Sequence, residues 1–188
     1  CNKNIRKTYE TYMDQLATNN LTTPKTQIKK DMSWRTFFIY VLIVIAIRFF
    51  VIEPHSVSGS SMLETFKDND YLFVEKVSYL VTNPKRGDVV VFNPPLEDRT
   101  TDRFIKRIIG VPGDSVRVAD GVTYINNIPQ TENYVTHPST ISASTVLGAD
   151  QYFVMGDNRA GSYDSRSWGP ITKSEIKGRV LLRLYPFK

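Results

Sequence analysis

Apolar residues follow two different patterns along this chain. Residues 37–52 form an almost unbroken apolar run that contains a single charge, Arg48. From Tyr71 onwards, short runs rich in β-branched and aromatic residues alternate with turn formers such as Asn-Pro and Pro-Gly-Asp. No helical periodicity is sustained across this second part. The pattern predicts one N-terminal apolar helix followed by a mainly β, antiparallel-sheet domain.

The second part contains seven runs that predict strands. They are residues 71–76, 89–92, 104–109, 115–118, 122–125, 151–155 and 178–184. Residues 129–149 are polar, rich in Ser and Thr, and are expected to form a long loop or an insertion. We therefore expect one β domain over residues 53–188.

The apolar run has the character of a membrane anchor. Its 16 residues would extend about 24 Å as a helix, which is short of a hydrocarbon core of about 30 Å. Trp34 at one end and a snorkelling Arg48 at the other could supply the missing length, so the anchor is predicted over residues 34–52. A buried core segment and a cleaved signal peptide are the alternatives; Ser56 and Ser58 would supply the small-residue pattern of a cleavage site.

The distribution of charge bears on both the topology and the partners. The net charge is +5, and residues 1–36 carry seven basic against three acidic side chains. Residues 53–188 carry 16 of each sign and have no basic face for nucleic acid. The positive-inside rule then predicts that residues 1–33 are cytoplasmic and that residues 53–188 form an extracytoplasmic domain of a single-pass membrane protein.

Cysteine and histidine are too few for a disulfide framework or a zinc site. The chain has one cysteine, Cys1, and two histidines, His55 and His137. Any metal site would therefore have to rest on carboxylates, and we assign Cys1 no role.

The first segment that could carry chemistry is a cluster of small residues at positions 57–62. A flexible linker is the simplest interpretation of Ser58, Gly59, Ser60 and Ser61. The functional alternative is that glycine allows a close approach of the backbone to a substrate carbonyl while a serine hydroxyl is presented for attack.

The second segment is the predicted strand 104–109, which carries two adjacent cations. Alternation places Lys106 on one face with Phe104 and Ile108, and it places Arg107 on the other face. Both could snorkel from an exposed edge. If Lys106 is instead desolvated, its pKa must fall by roughly 3 units for it to act as a base near neutrality, which corresponds to about 4 kcal/mol. Arg107 cannot lose its proton and is excluded as a base.

The third segment is the polar stretch 156–169, which contains two aspartates, two arginines and several hydroxyls. A solvated turn is one interpretation. The alternative is a hydrogen-bonded loop that supports a neighbouring site, in which Asp164 pairs with Arg166 or Arg159.

Together these segments resemble the bacterial type I signal peptidases over residues 34–188. The resemblance rests on Ser-Gly-x-Ser-Met at 58–62, Arg-Gly-Asp-Val-Val-Val-Phe at 86–92, Ile-Lys-Arg-Ile-Ile-Gly-Val-Pro-Gly-Asp at 105–114 and Gly-Asp-Asn-Arg-x-x-Ser-x-Asp-Ser-Arg at 156–166. Four motifs in the family's order behind one anchor are highly specific. The length and the single anchor are similar to the shorter Gram-positive forms.

The resemblance implies a β-rich catalytic domain and a serine–lysine dyad. Ser61 matches the nucleophile and Lys106 the general base, while Ser162 matches the hydroxyl that orients the lysine. Asp164 with Arg166 matches a supporting ion pair.

The resemblance also implies an oxyanion hole and indicates two departures from the family. The hole would use the Ser61 backbone N–H, and Gly59 lacks the hydroxyl that some relatives carry. Glu64 stands where the family usually has proline, and a carboxylate near Lys106 would favour its charged form.

The implied activity is a membrane-bound serine endopeptidase that removes signal peptides from secretory preproteins through an acyl-enzyme. Its partners would be preproteins and the lipid bilayer, with pilins as a further candidate. The alternative is a signal-peptidase-like accessory for pilus assembly that binds pilins with little or no proteolysis. A self-cleaving repressor is disfavoured because it would need a DNA-binding module where this chain has its predicted anchor.

Overall fold

The chain divides into two units, Cys1–Tyr40 and Val41–Lys188. The computed structural model describes residues 3–19, 33–47, 51–96 and 102–184. Helix α1 spans Lys3–Asn19, and helix α2 spans Trp34–Ala46. Tyr9, Tyr12 and Met13 are exposed on α1.

The predicted anchor coincides in part with α2. This helix has 13 residues, and none of its side chains is buried. Within the described ranges, no helix meets the length and apolarity needed to cross a membrane. Residues 48–50 of the predicted anchor lie outside the described residues, and Ile52, its last residue, begins a β-strand. The anchor over residues 34–52 therefore stays a prediction.

The rest of the described chain is dominated by antiparallel strands. The strands are β1 (Ile52–Ser56), β2 (Tyr71–Glu75), β3 (Val89–Phe92), β4 (Phe104–Gly110), β5 (Ser115–Ala119), β6 (Val122–Ile125), β7 (Ile128–Pro129), β8 (Ala143–Val146), β9 (Gln151–Met155), β10 (Ile171–Thr172) and β11 (Ile176–Leu184). Two one-turn helices, α3 (Ser78–Val81) and α4 (Ser165–Trp168), and a 3₁₀ turn at Lys173–Glu175 connect them.

The strands form two sheets. The larger has the order β1-β2-β11-β3-β4-β9-β10, and the smaller has the order β7-β6-β5-β8. The paired strands are antiparallel throughout, as in β3 with β4, where Val90 lies opposite Lys106. The prediction of a mainly β, antiparallel fold is confirmed.

Strand β4 lies at the junction of three apolar clusters. Ile105 packs in a cluster with Met62, Ile108 in a second with Tyr152, and Ile109 in a third with residues of the small sheet. Burial of each such side chain contributes roughly 1.5–3 kcal/mol. A bulge in the pairing with β9 follows Ile108, and at Gly110 an added Cβ would lie 2.5 Å from Val116. Apolar packing therefore fixes the position of β4 along its length.

The predicted strands are confirmed to within a few residues, while others were not expected. Strands β1, β7, β8 and β10 were not predicted. Within residues 129–149, where a loop or insertion was expected, β8 pairs with β5 over Ala143–Val146. Its Ala-Ser-Thr-Val sequence does not alternate between apolar and polar residues and lies in a polar stretch, which is why the strand was not predicted.

Candidate active site

Ser61 lies in a turn that follows β1 and is held at both ends by buried side chains. Val57 is 4% exposed and Met62 is 1% exposed, and both belong to one apolar cluster. Ser58, Gly59 and Ser60 between them are exposed. The small residues therefore form an anchored turn at the surface.

Lys106 extends from β4 to the Ser61 hydroxyl. Its Nζ lies 2.7 Å from Ser61 Oγ, and the residue is only 4% exposed. The same Nζ lies 5.4 Å from the centroid of the Phe104 ring, on the face that strand alternation predicted. Of the two adjacent cations, Lys106 is the one placed among apolar neighbours.

The surroundings of Lys106 favour its neutral form. Burial is the main cause, and it lowers the pKa of the amine from 10.5 to about 8. The negative charges of Asp164 and Asp157 oppose the change, and the positive charge of Arg166 supports it. Glu64 is exposed, and among the described residues it is not one of the charges that act on the Lys106 pKa. The expected rise of this pKa by the Glu64 carboxylate is therefore not observed.

Arg107 points to the other side of β4 and forms a bidentate ion pair with Asp157. The distances are 2.8 Å from Nε to Oδ1 and 2.7 Å from Nη2 to Oδ2, and Asp157 is fully buried. The Thr65 hydroxyl also donates to Asp157 Oδ2, at 2.5 Å. The pair thus connects β4, the loop after β9 and the segment after Ser61. Asp157 was assigned no role from the sequence, although Arg107 beside the lysine required a partner.

The loop after β9 also holds the Ser61 turn directly. The Asn158 backbone N–H donates to Ser61 O at 3.1 Å, and Asn158 Nδ2 donates to Ser60 O at 3.0 Å. A Cβ on Gly156 would collide with both Ser61 O and Ser162 Oγ. Only glycine allows this close approach. Neither Asn158 nor Gly156 was assigned a role from the sequence.

Asp164 and Arg166 form the ion pair that the resemblance implied. Arg166 Nε lies 2.8 Å from Oδ1 and Nη2 lies 2.9 Å from Oδ2, with Asp164 fully buried. The Gly156 N–H also donates to Asp164 Oδ2 at 3.0 Å. Arg159, the other candidate partner, instead pairs with Glu132 at 2.7 Å.

Ser162 was expected to hydrogen-bond Lys106, and the structure gives its hydroxyl a different partner. Ser162 Oγ donates to Asp164 Oδ2 at 2.6 Å. The hydrogen-bond partner of Lys106 Nζ within the described residues is Ser61 Oγ. Ser162 is buried and lies beside Gly156. Its hydroxyl contacts Asp164, and the charge of Asp164 in turn acts on the Lys106 pKa.

Gly59 occupies the turn in a backbone conformation that suits glycine. Its φ is +95°, and its N–H donates to Asp68 Oδ1 at 2.8 Å. The Ser61 backbone N–H, by contrast, donates to no protein atom in the described part of the chain. Of these two N–H groups, only that of Ser61 is free to stabilise an oxyanion.

A cleft of about 490 Å³ runs past these groups. Its walls are the segment from His55 to Met62 and the segment from Asp102 to Lys106, with Gly161 and Tyr163 nearby. Strand β1, which leads into the first wall, is the first strand of the large sheet and pairs with β2 on one side. Across the described residues, no cluster of three or more His, Cys, Asp or Glu side chains could hold a metal ion.

Fold and site together define a class of protein. It is a mainly β protein with a surface cleft in which a serine hydroxyl contacts a buried lysine amine, an arrangement suited to nucleophilic catalysis. The family model described as signal peptidase, peptidase S26, matches residues 31–185. The chain belongs to this family, as a bacterial type I signal peptidase.

Two relatives agree with this assignment in sequence. The chain is 41% identical to a probable signal peptidase I-2 of Synechocystis sp. over 173 residues, which cover 88% of this chain and 79% of that protein. It is 34% identical to signal peptidase I T of Bacillus subtilis over 187 residues, which cover 93% and 95% of the two chains. A solved signal peptidase I from Enterococcus faecalis has 29% identity and a TM-score of 0.45, with 54% of this chain and 99% of that chain covered.

Proposed function

We propose that this protein is a membrane-bound serine endopeptidase that removes signal peptides from exported preproteins, with Ser61 as nucleophile and Lys106 as general base. The observation that carries the proposal is the 2.7 Å contact between Ser61 Oγ and the Nζ of a lysine that is 4% exposed. The names of the relatives, which are signal peptidases, support the choice of substrate.

Acylation begins when neutral Lys106 takes the proton of the Ser61 hydroxyl. The Ser61 oxygen attacks the carbonyl carbon of the scissile peptide bond, and the resulting oxyanion accepts a hydrogen bond from the Ser61 backbone N–H. Lys106 then gives its proton to the departing amine of the mature protein as the carbon–nitrogen bond breaks. The signal peptide remains attached to Ser61 as an ester.

Deacylation uses the same amine a second time. Lys106 removes a proton from a water molecule, and the hydroxide attacks the ester carbonyl. When the carbon–oxygen bond breaks, Lys106 returns the proton to Ser61 Oγ and the signal peptide leaves with a free carboxylate. Each cycle consumes one water molecule, and no cofactor enters the reaction.

The preprotein would bind as an extended strand in the cleft. The wall that follows β1 continues an edge of the large sheet, where backbone groups can pair with an added strand. The small residues at positions 58–60 and the apolar Ile105 beside them suit small side chains at the first and third positions before the cut.

The residues around the dyad have supporting roles in this proposal. Asp164 is held by Arg166 and accepts the hydrogen bond of Ser162, and its charge raises the Lys106 pKa while Arg166 lowers it. Burial outweighs these charges and leaves the Lys106 pKa at about 8. Gly59 shapes the turn that presents Ser61 and contributes no hydroxyl to the oxyanion hole.

The proposed topology places residues 1–33 in the cytoplasm, residues 34–52 in the bilayer and residues 53–188 outside. The basic flank and the apolar run support it. Protease added to intact, right-side-out cells should degrade the epitope of a tag at the C-terminus and spare one at the N-terminus. Degradation of the N-terminal tag alone would show that the orientation is the opposite of the proposed one.

The test of the activity is cleavage of a panel of preproteins, pilins included, by the detergent-solubilised full chain. Ser61→Ala and Lys106→Met should each reduce cleavage to background, whereas Asp150→Ala, which changes an exposed turn aspartate, should cleave like wild type. Mass spectrometry of the wild-type reaction should detect the acyl-enzyme on Ser61. Processing retained by either dyad variant would refute the assignment.

A further inference from the structure

The turn that presents Ser61 is clasped by a second tight turn, residues 67–70. The Val57 N–H donates to Asp70 O at 2.8 Å, and the Asn69 N–H donates to Val57 O at 2.9 Å. These bonds continue the pairing of β1 with β2 by one more residue after Ser56 and Tyr71. The backbone ladder then ends at Val57, three residues before the exposed Ser60.

A side chain takes over where the backbone ladder ends. Asp68 Oδ1 accepts the Gly59 N–H at 2.8 Å, in the direction that a further strand residue would have used. The other carboxylate oxygen accepts from Asn69 Nδ2 at 3.0 Å, which fixes the orientation of the carboxylate. Asn69 has a φ of +66°, a conformation that asparagine adopts more readily than most residues.

The 67–70 turn is itself fastened to the core. Asp70 is 3% exposed, its Oδ2 accepts the Lys67 N–H at 2.6 Å, and it pairs with Arg183 of β11 at 2.8 Å. Asp68 therefore acts from a rigid base. Asn158 holds the next two residues of the turn, through Ser60 O and Ser61 O. The turn is thus held by Asp68 at Gly59 and by Asn158 at Ser60 and Ser61.

We propose that Asp68 is a positioning residue for the cleavage reaction: by holding the Gly59 N–H it fixes the turn that aims the Ser61 N–H and Ser61 Oγ at the substrate carbonyl. The inference rests on the proposed function. Among the described residues, Asp68 has no hydrogen bond to Ser61 or Lys106, so its effect would pass through the geometry of the turn. A misplacement of about 1 Å at a reacting centre can cost roughly a hundredfold in rate.

The backbone conformation of residue 59 explains why it carries no helping hydroxyl. A side chain at φ +95° is disfavoured, and the N–H of residue 59 is already engaged by Asp68. Adding a hydroxyl by Gly59→Ser should therefore lower kcat in this chain. If it raised kcat, the turn would not be held as described.

The experiment measures kcat and KM for one cleaved preprotein with three variants of the full chain. Asp68→Ala should lower kcat by roughly tenfold to a hundredfold and change KM by less than about twofold. Asp68→Asn keeps an oxygen acceptor for the Gly59 N–H without the charge and should retain at least about half of the wild-type kcat. Asp150→Ala again serves as the exposed aspartate that should have no effect.

Two further measurements separate positioning from a general loss of fold. The midpoint of thermal unfolding should be equal in the Ala and Asn variants within a few degrees, and hydrogen exchange at the Gly59 amide should be faster only in Asp68→Ala. Equal kcat values for wild type and Asp68→Ala would overturn the inference and leave the dyad intact. Equal losses in Asp68→Ala and Asp68→Asn would overturn it as well, since charge would then be responsible. Failure of the wild type to cleave any preprotein would instead refute the proposed function.

Discussion

The pKa of Lys106 makes the rate of cleavage a function of pH in a definite range. Burial lowers this pKa from 10.5 to about 8, and a change of about 2.5 units corresponds to roughly 3 kcal/mol against the charged amine. The general base must be neutral, so the active fraction is about one tenth at pH 7 and about nine tenths at pH 9. We expect kcat/KM to rise roughly tenfold between these values and then to level off.

The assay is the initial rate of cleavage of one preprotein at low concentration from pH 6 to pH 10, with the enzyme shown to remain folded at each pH. His55 also lines the cleft, but burial lowers its pKa from 6.5, so it is neutral throughout the rise near pH 8. Lys106→Arg should be inactive at every pH because a guanidinium keeps its proton. A flat profile, or a midpoint near 10.5, would refute a desolvated lysine as the base.

Three further predictions concern stability and local geometry. Lys106→Met should raise the free energy of unfolding at pH 7 relative to wild type. This gain should shrink by about 3 kcal/mol between pH 8 and pH 10.5, because in that range the unfolded wild-type chain keeps the lysine proton and the folded chain does not. Urea titrations across the range measure the gain, and a pH-independent gain would contradict the prediction. Asp164→Ala should cost about 3–5 kcal/mol by the same titration, since it leaves the Arg166 cation buried without its partner; a cost as small as that of Asp150→Ala would show that the pair is dispensable. Gly156→Ala should lower kcat, since its methyl group would displace the Ser61 carbonyl or the Ser162 hydroxyl; a wild-type kcat would show that the loop yields freely.

Local alternation predicted one part of the site, and the resemblance supplied the other site residues. The apolar run Val89–Phe92 and the pattern of residues 104–109 each indicated a strand, and alternation placed Lys106 on the face of Phe104. The serine beside methionine and the order of the motifs then indicated which hydroxyl would meet the amine. That contact joins residues 45 positions apart, and the resemblance was needed to select the pair.

What could not be predicted depends on contacts between distant side chains and backbone groups. Asp157 looked like one polar residue in a polar loop, and its partner Arg107 lies 50 positions away. Asp68 meets a backbone N–H, which leaves no trace in the residue type at position 59. Strand β1 was concealed because its sequence contains Pro54 and His55 and begins at Ile52, the last residue of the apolar run.

The order of Lys106 and Arg107 in β4 limits which substitutions this protein can tolerate. Lys106 and Arg107 carry the same charge, yet one must be capable of giving up its proton and the other must never do so. Exchanging them would place a permanent cation beside the Ser61 hydroxyl. It would also replace the guanidinium that donates two hydrogen bonds to Asp157 with a single ammonium group. Inserting or deleting one residue between Phe104 and Lys106 would also turn Lys106 to the face opposite Phe104, since side chains alternate along the strand. Changes at these two positions that preserve charge and composition can therefore still abolish activity.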